Sequence, residues 1–258
     1  MASHQWDSID KVHIDCTEYY CAFLDILGYK EKAALFFAGS YNLPGRINRA
    51  MEGVSLTDHI ARPLMDITRL SVDVFSDSII ITNPADKFGC ATLMIYIMSF
   101  ISQLSLEGLH IRGGLSMGRH YSQASVINSR ILISEALQRA YILESQKALY
   151  PRVLIDPIVI ETLSKQELSR VALDGDDYML HYAHGLINRE GLNLDDMYRE
   201  MIEILETMNR LNDPKSEAKL QWLLDYYVWT IHTIPDVDTS RFEIFKGKST
   251  RTFRLLQD

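Results

Sequence analysis

The amino-acid sequence predicts an α+β protein: a ferredoxin-like, mixed or antiparallel sheet with packed helices and a helical C-terminal extension. Three observations lead there. Short runs rich in Val, Ile and aromatic residues alternate with longer stretches of helical period. Two of these runs, inside residues 70–82, are separated only by a tight turn. One strongly apolar stretch, residues 90–106, has the length of a core helix. The chain has 258 residues, enough to bury a sizeable core without disulfide staples.

Residues 19–26 (YYCAFLDI) read as a buried strand that stops at Gly28. Residues 30–38 have Ala-rich helical character. Gly39, Ser40, Asn42, Pro44 and Gly45 then make a turn, and a helix resumes near Ile47. Residues 70–82 (LSVDVFSDSIIIT) form two strands around a turn at Phe75 to Asp77, ended by Asn83-Pro84. The apolar helix from about Phe88 to Leu106 is short for a membrane span. Ser99, Ser102, Gln103 and Ser105 give it a partial polar face, so burial against a sheet is expected and a membrane span is not. Residues 110–117 (HIRGGLSM) are a strand. Residues 132–149 are a helix with Leu132, Ala136, Leu137, Ala140, Leu143 and Ala148 on one broad face, stopped by Pro151. Residues 152–155 are a further strand, ended by Asp156-Pro157. From Asn193 the pattern is helical: one amphipathic helix capped by Asn193 or Asp195, a break at Asn212-Asp213-Pro214, and a second helix over 216–231. The expected division is an α/β body at 14–185 and an extension at 186–258.

Lys and Arg number 26 against 34 Asp and Glu, a formal net charge of −8. A nucleic-acid polymer is not the expected partner, because such binders present a basic footprint. A single nucleotide needs only a few placed cations. Cys16, Cys21 and Cys90 form no CxxC pair and suit a reducing compartment. The N-terminal residues are polar and lack the apolar run of a signal peptide, so a cytoplasmic location is expected.

Two aspartates stand out. Asp25 closes an apolar strand and Asp77 lies in the hairpin turn between Ser76 and Ser78. A carboxylate in an apolar strand is costly unless it is paired or binds a metal. Two on neighbouring strands would suit hard divalent cations that share a substrate's phosphates. The alternative is that Asp25 caps the next helix and Asp77 serves its turn. The strand-to-helix bend at Ile26 to Lys30 offers backbone N–H groups to an anion, although it is neither a Walker A loop nor GxGxxG.

FLDILGYK (Phe23 to Lys30) resembles the F-x-D-I-x-G-F-T motif of class III nucleotidyl cyclases. SVDVFSDSIII resembles their second-metal hairpin, HIRGGLSMG their R-x-G-I-h-x-G strand, and ALQRAYILE sits where they have a V-N-x-A-x-R-L-E helix. Order and spacing agree over about residues 19–150, and within the family the chain looks most like bacterial pyrimidine cyclases of the Pycsar antiphage system. The resemblance implies that Asp25, the Ile26 carbonyl and Asp77 hold two divalent cations, Mn²⁺ or Mg²⁺. Phe23 would belong to the substrate site, and the backbone N–H groups of Leu27, Gly28 and Tyr29 would face the phosphates of a nucleoside triphosphate. Arg112 would contact the triphosphate and Asp73 would read the base, uracil or cytosine. It also implies a homodimer with sites at the subunit interface and a downstream cyclic-nucleotide effector.

The sequence departs from the family at three places. Ser76 replaces a Gly, Gln138 stands where the family has its ribose-positioning Asn, and Ile142 stands where it has its transition-state Arg. Arg139, Arg130 and Arg119 are the candidates for that missing cation, with Arg139 foremost. Two activities remain open: conversion of UTP (or CTP) to the 3′,5′-cyclic monophosphate, and an inactive cyclase-like nucleotide sensor. Elsewhere, His181 and His184 read as surface histidines, Asp174, Asp176 and Asp177 as a solvated turn, and Tyr226 to Trp229 as helix core.

Overall fold

In the computed structural model, residues 16–61, 67–124, 130–183, 194–233 and 238–256 are described. Strand β1 (Thr17–Ile26) is the axis of the fold. Tyr20, Ala22, Leu24 and Ile26 are buried on one of its faces. Cys21, Phe23 and Asp25 take the other, as the two-residue period of a strand requires. On one side β1 pairs antiparallel with β3 (Ser78–Pro84), which closes a hairpin with β2 (Ser71–Phe75). On the other side it pairs antiparallel with β4 (Ile111–Ala124). The order β2-β3-β1-β4 is that of a ferredoxin-like βαββαβ unit.

The sheet continues past β4. β5 (Arg130–Ser134) folds back on the far end of β4, while β6 (Val153–Ile155) joins it in parallel. Beyond β6 lie β8 (Asp177–Leu180), β7 (Val171–Asp174) and β9 (Arg254–Leu255), all antiparallel.

Helices α1 (Tyr29–Phe37) and α2 (Leu43–Ala61) link β1 to the hairpin, and α3 (Gly89–Leu106) links β3 to β4. α2 begins four residues earlier than expected. Asn42 Oδ1 accepts the Gly45 N–H at 3.0 Å, and Pro44 is tolerated where a helix has no partner for its first amides. α3 is the one described helix long and apolar enough to cross a membrane, and most of it is buried in this fold. Leu93, Met94, Ile97, Phe100 and Leu104 lie in the same core as Leu24, Ile79 and Ile81.

Helix α4 (Glu135–Lys147) covers the opposite face. It sits so close that a Cβ on Gly114 would come within 2.3 Å of the Ala140 carbonyl oxygen. The helix expected from Leu132 therefore starts at Glu135. Ser134 Oγ accepts the Leu137 N–H at 3.1 Å and fixes the start, which leaves the β-branched run before it to pair with β4 as β5.

Short helices α5 (Pro157–Ile160) and α6 (Lys165–Leu168) precede the β7–β8 hairpin. Its Asp174 is not solvated. It is buried, accepts Trp222 Nε1–H at 2.8 Å, and pairs with Arg152 at 2.7 Å and Arg251 at 2.8 Å. His181 is likewise buried, with Nδ1 2.8 Å from the Tyr226 hydroxyl; His184 lies outside the described residues. Helices α7 (Leu194–Met208), α8 (Pro214–Thr233) and α9 (Glu243–Lys246) follow among the described residues. Met201, Trp222, Tyr226, Tyr227 and Phe245 share one continuous core with Leu154, Met179 and Leu180, and Tyr226 to Val228 are helix core as expected.

Candidate active site at one end of the central strands

The pairing register brings the motif residues together. Asp25 of β1 faces Ser78 of β3 and Arg112 of β4, and Ser78 in turn faces Phe75. One row further along, Phe23 pairs with Ile80 and Gly114, and Ile80 pairs with Asp73. Laterally paired residues point to one face, so Asp73, Phe23, Asp25 and Arg112 share the face on which α4 lies. Asp73 stands two strand spacings from Phe23, about 10 Å. The Phe23 ring meets the Tyr141 ring of α4 edge-on at 5.2 Å.

Asp77 reaches this end through its turn. Its carbonyl accepts the Ile26 N–H at 2.9 Å, which ties the turn to the residue after Asp25. Ser76, at φ 57°, adopts the left-handed region that favours glycine.

The bend after β1 depends on Gly28, at φ 67°. No side chain caps α1 behind it. The Leu27 N–H donates to the His110 carbonyl at 2.9 Å. It is therefore taken by the sheet, and the expectation of phosphate-facing amides narrows to Gly28 and Tyr29. Lys32 Nζ donates to the Leu27 carbonyl at 3.3 Å, so a partly buried ammonium lies against this turn. Burial pulls its pKa down, Glu31 opposes this, and Arg46 adds to it.

Arg112 is the hub. Its Nε donates to Asp25 Oδ2 at 3.1 Å, its Nη1 to the Ala148 carbonyl at 3.4 Å, and its Nη2 lies 2.8 Å from Glu144 Oε1. Burial raises the Asp25 pKa above the usual carboxylate range. The Arg112 hydrogen bond and charge oppose this, the Asp77 charge reinforces it, and Lys219 of α8 adds a smaller downward pull. Glu144 is raised for the same first reason, with Arg112 opposing and Asp25 and Asp77 adding.

The donor set available to a metal consists of oxygens: two carboxylates that sense each other's charge, with the Ile26 carbonyl between them in the chain. Among the described residues no group of three or more His, Cys, Asp or Glu is placed to hold a metal. Two carboxylates with water and phosphate completing the shell is the habit of Mg²⁺ and, among harder transition ions, Mn²⁺, so the residues fit such an ion.

Arg139 is exposed on α4, where it acts on Glu135, and is not among the residues gathered at Asp25. Arg119 pairs with Glu135. Gln138, Tyr141 and Ile142 are exposed. Sequence reasoning passed over Glu144, Lys32 and Lys219. For Glu144 the signal was present: it falls four residues after Ala140 on the buried stripe of α4, a position where a lone acid is rare.

No protein-family model matches the chain, and no curated protein matches it. Among solved structures it is similar to the guanylate cyclase domain of RhGC from Catenaria anguillulae in complex with GTP. The TM-score is 0.44 at 14% identity, over 64% of this chain and 96% of that one. It is similar to the adenylyl cyclase CyaB from P. aeruginosa, with TM-score 0.43 and 13% identity over 69% and 98% of the two chains. It is also similar to adenylate cyclases from Trypanosoma brucei in their monomeric state, with TM-score 0.44 and 16% identity over 67% and 92%.

Proposed function

We propose that this chain is a nucleotidyl cyclase that converts UTP, with CTP as the near variant, to the 3′,5′-cyclic monophosphate and diphosphate. The observation that supports it best is the convergence of Asp25, Asp77 and Arg112, 35 or more residues apart in sequence, at one sheet end beside the Gly28 bend. The O3′–Pα bond forms as the bond from Pα to the bridging oxygen breaks, the hydroxyl proton goes to solvent, and diphosphate leaves. Asp25, Asp77 and the Ile26 carbonyl would hold the divalent cations, which when bound lower the pKa of the 3′-hydroxyl and offset charge on the leaving group. Arg112 and Lys32 bind phosphoryl oxygens, and the Gly28 and Tyr29 amides orient them. Asp73 accepts a hydrogen bond from the base, N3–H of uracil or the amino group of cytosine, with Phe23 beside it.

The protein works as a homodimer. Tyr141 and Ile142 of α4 and Ile131 and Ile133 of β5 are exposed apolar side chains, the surface such a pairing would cover. Arg139, exposed on the same helix, then acts across the interface. The product serves as a second messenger in antiphage defence, read by a cyclic-nucleotide effector in the cytoplasm; this rests on the sequence resemblance alone.

The test is incubation with each of the four nucleoside triphosphates and Mn²⁺ or Mg²⁺, followed by mass detection of cyclic product. Wild type is expected to form cyclic UMP or cyclic CMP and Asp77→Ala none. Absence of product from every nucleotide defeats the reading. The second reading, an inactive nucleotide-sensing dimer, is favoured by Gln138 and Ile142 standing where the family has its Asn and Arg. It predicts nucleotide binding without turnover.

A further inference from the structure

We propose that Glu144 is a positioning residue: it retains the Arg112 guanidinium beside the site when a divalent cation takes Asp25. The inference rests on the cyclase reading above.

Arg112 already occupies Asp25. Its Nε donates to Asp25 Oδ2 at 3.1 Å, so a divalent ion arriving at that carboxylate meets a resident cation. A guanidinium and a divalent ion on the same carboxylate repel one another, so binding of the ion weakens the Arg112–Asp25 contact. The guanidinium has two further holds, an ion pair to Glu144 Oε1 at 2.8 Å, made without hydrogen-bond geometry, and the Ala148 carbonyl at 3.4 Å. When Asp25 turns to the metal, these two remain, and Arg112 is kept within reach of a phosphate instead of being lost to solvent.

Glu144 is well placed for this and poorly explained by packing. Its side chain is 4% exposed on the stripe of α4 that otherwise presents Ala136 and Ala140 to the sheet, where an apolar residue would be the ordinary choice. It is not a third metal ligand, since no three ligating residues among those described are grouped closely enough.

The test is Mn²⁺ binding to the full chain without nucleotide, followed by electron paramagnetic resonance of the free ion. Arg112→Gln is expected to tighten Mn²⁺ binding, because the competing cation is gone. Glu144→Gln is expected to weaken it about tenfold in the wild-type background and less than about twofold in the Arg112→Gln background, the non-additivity of residues that act through one another. Equal weakening in both backgrounds means that Glu144 acts on the metal directly and overturns the proposal, as does no weakening in either. If Glu144→Gln fails to fold, Glu144→Asp decides: it keeps the charge and withdraws the carboxylate from Arg112. A loss of affinity then supports the anchor, and wild-type affinity overturns it. Wild-type chain that binds no Mn²⁺, or binds it unchanged after Asp25→Asn, defeats the cyclase reading. Binding that needs Asp25 but not Glu144 defeats only this inference.

Discussion

Glu200→Gln changes how stability depends on pH, and the size of the change is set by the geometry around that side chain. Glu200 of α7 is 18% exposed, with Oε1 accepting the Tyr227 hydroxyl at 3.0 Å and lying 3.7 Å from His110 Nδ1. Burial, reinforced by Glu203 and opposed by the Tyr227 hydrogen bond, pushes its pKa from 4.5 to about 7. Burial also pushes His110 down, to about 4, with Lys32 adding to it, so between these values both groups are neutral and their contact is not an ion pair. For a carboxyl whose folded pKa is raised, the contribution to stability is full below the unfolded value near 4.5 and is lost as pH rises through about 7. At about 1.4 kcal/mol per unit the ceiling is about 3 kcal/mol, and residual solvent access reduces this to about 1.5 kcal/mol. Gln keeps the acceptor for Tyr227 and has nothing to ionise. The variant is expected to match wild type at pH 4.5 and to exceed it by about 1–2 kcal/mol at pH 8.5. Urea denaturation at the two pH values measures this. A difference between the two proteins that stays constant with pH refutes the reasoning.

Four further outcomes are expected. Ser76→Gly relieves the left-handed backbone of the hairpin turn, partly offset by the freedom glycine adds to the unfolded chain, and raises stability by about 1 kcal/mol in denaturant melts. Gly114→Ala forces a methyl against the Ala140 carbonyl and Leu143 Cβ, so α4 must lift; a loss of about 1–3 kcal/mol and weakened Arg112 function are expected, and unchanged melting would contradict the close packing. Asp174→Asn removes the buried charge shared by Arg152 and Arg251, leaving Arg152 only Asp177 as a carboxylate partner, and costs about 3 kcal/mol by the same melts. Lys32→Gln raises the KM for nucleoside triphosphate several-fold with a smaller effect on kcat, read from steady-state kinetics of cyclic product formation.

The parts of the fold legible in the sequence are those whose signals are local. The β-branched runs of β1 and β3, the turn between Phe75 and Ser78, and the long apolar stretch of α3 each announce themselves within a dozen residues. The resemblance assigned Asp25 and Arg112 to one substrate site, but the ion pair between them was not anticipated, because periodicity carries no long-range pairing. Other features were hidden for physical reasons. β5 falls inside a stretch whose apolar spacing also satisfies a helix, and only the hydrogen bond from Leu137 to Ser134 decides where the helix begins. Asp174 looks like a turn acid until Arg251, 77 residues away, closes over it. His181 is buried by an aromatic helix 45 residues later in the chain. Lys219 reaches the field of Asp25 from that same helix, and no local pattern anticipates it.

The place of His110 bears on how this chain can be recombined or cut. Its carbonyl holds the Leu27 amide at the head of the bend, while its ring faces Glu200. A chimaera that borrows residues 16–183 and replaces the C-terminal helices therefore inherits half of a joint. It must bring a helix with an acceptor where Glu200 stands, and an aromatic partner where Tyr227 stands, or leave the ring of His110 facing water directly behind the Gly28 bend. By the same geometry, a protease nick between α7 and α8 need not touch the motif strands to be felt at Leu27.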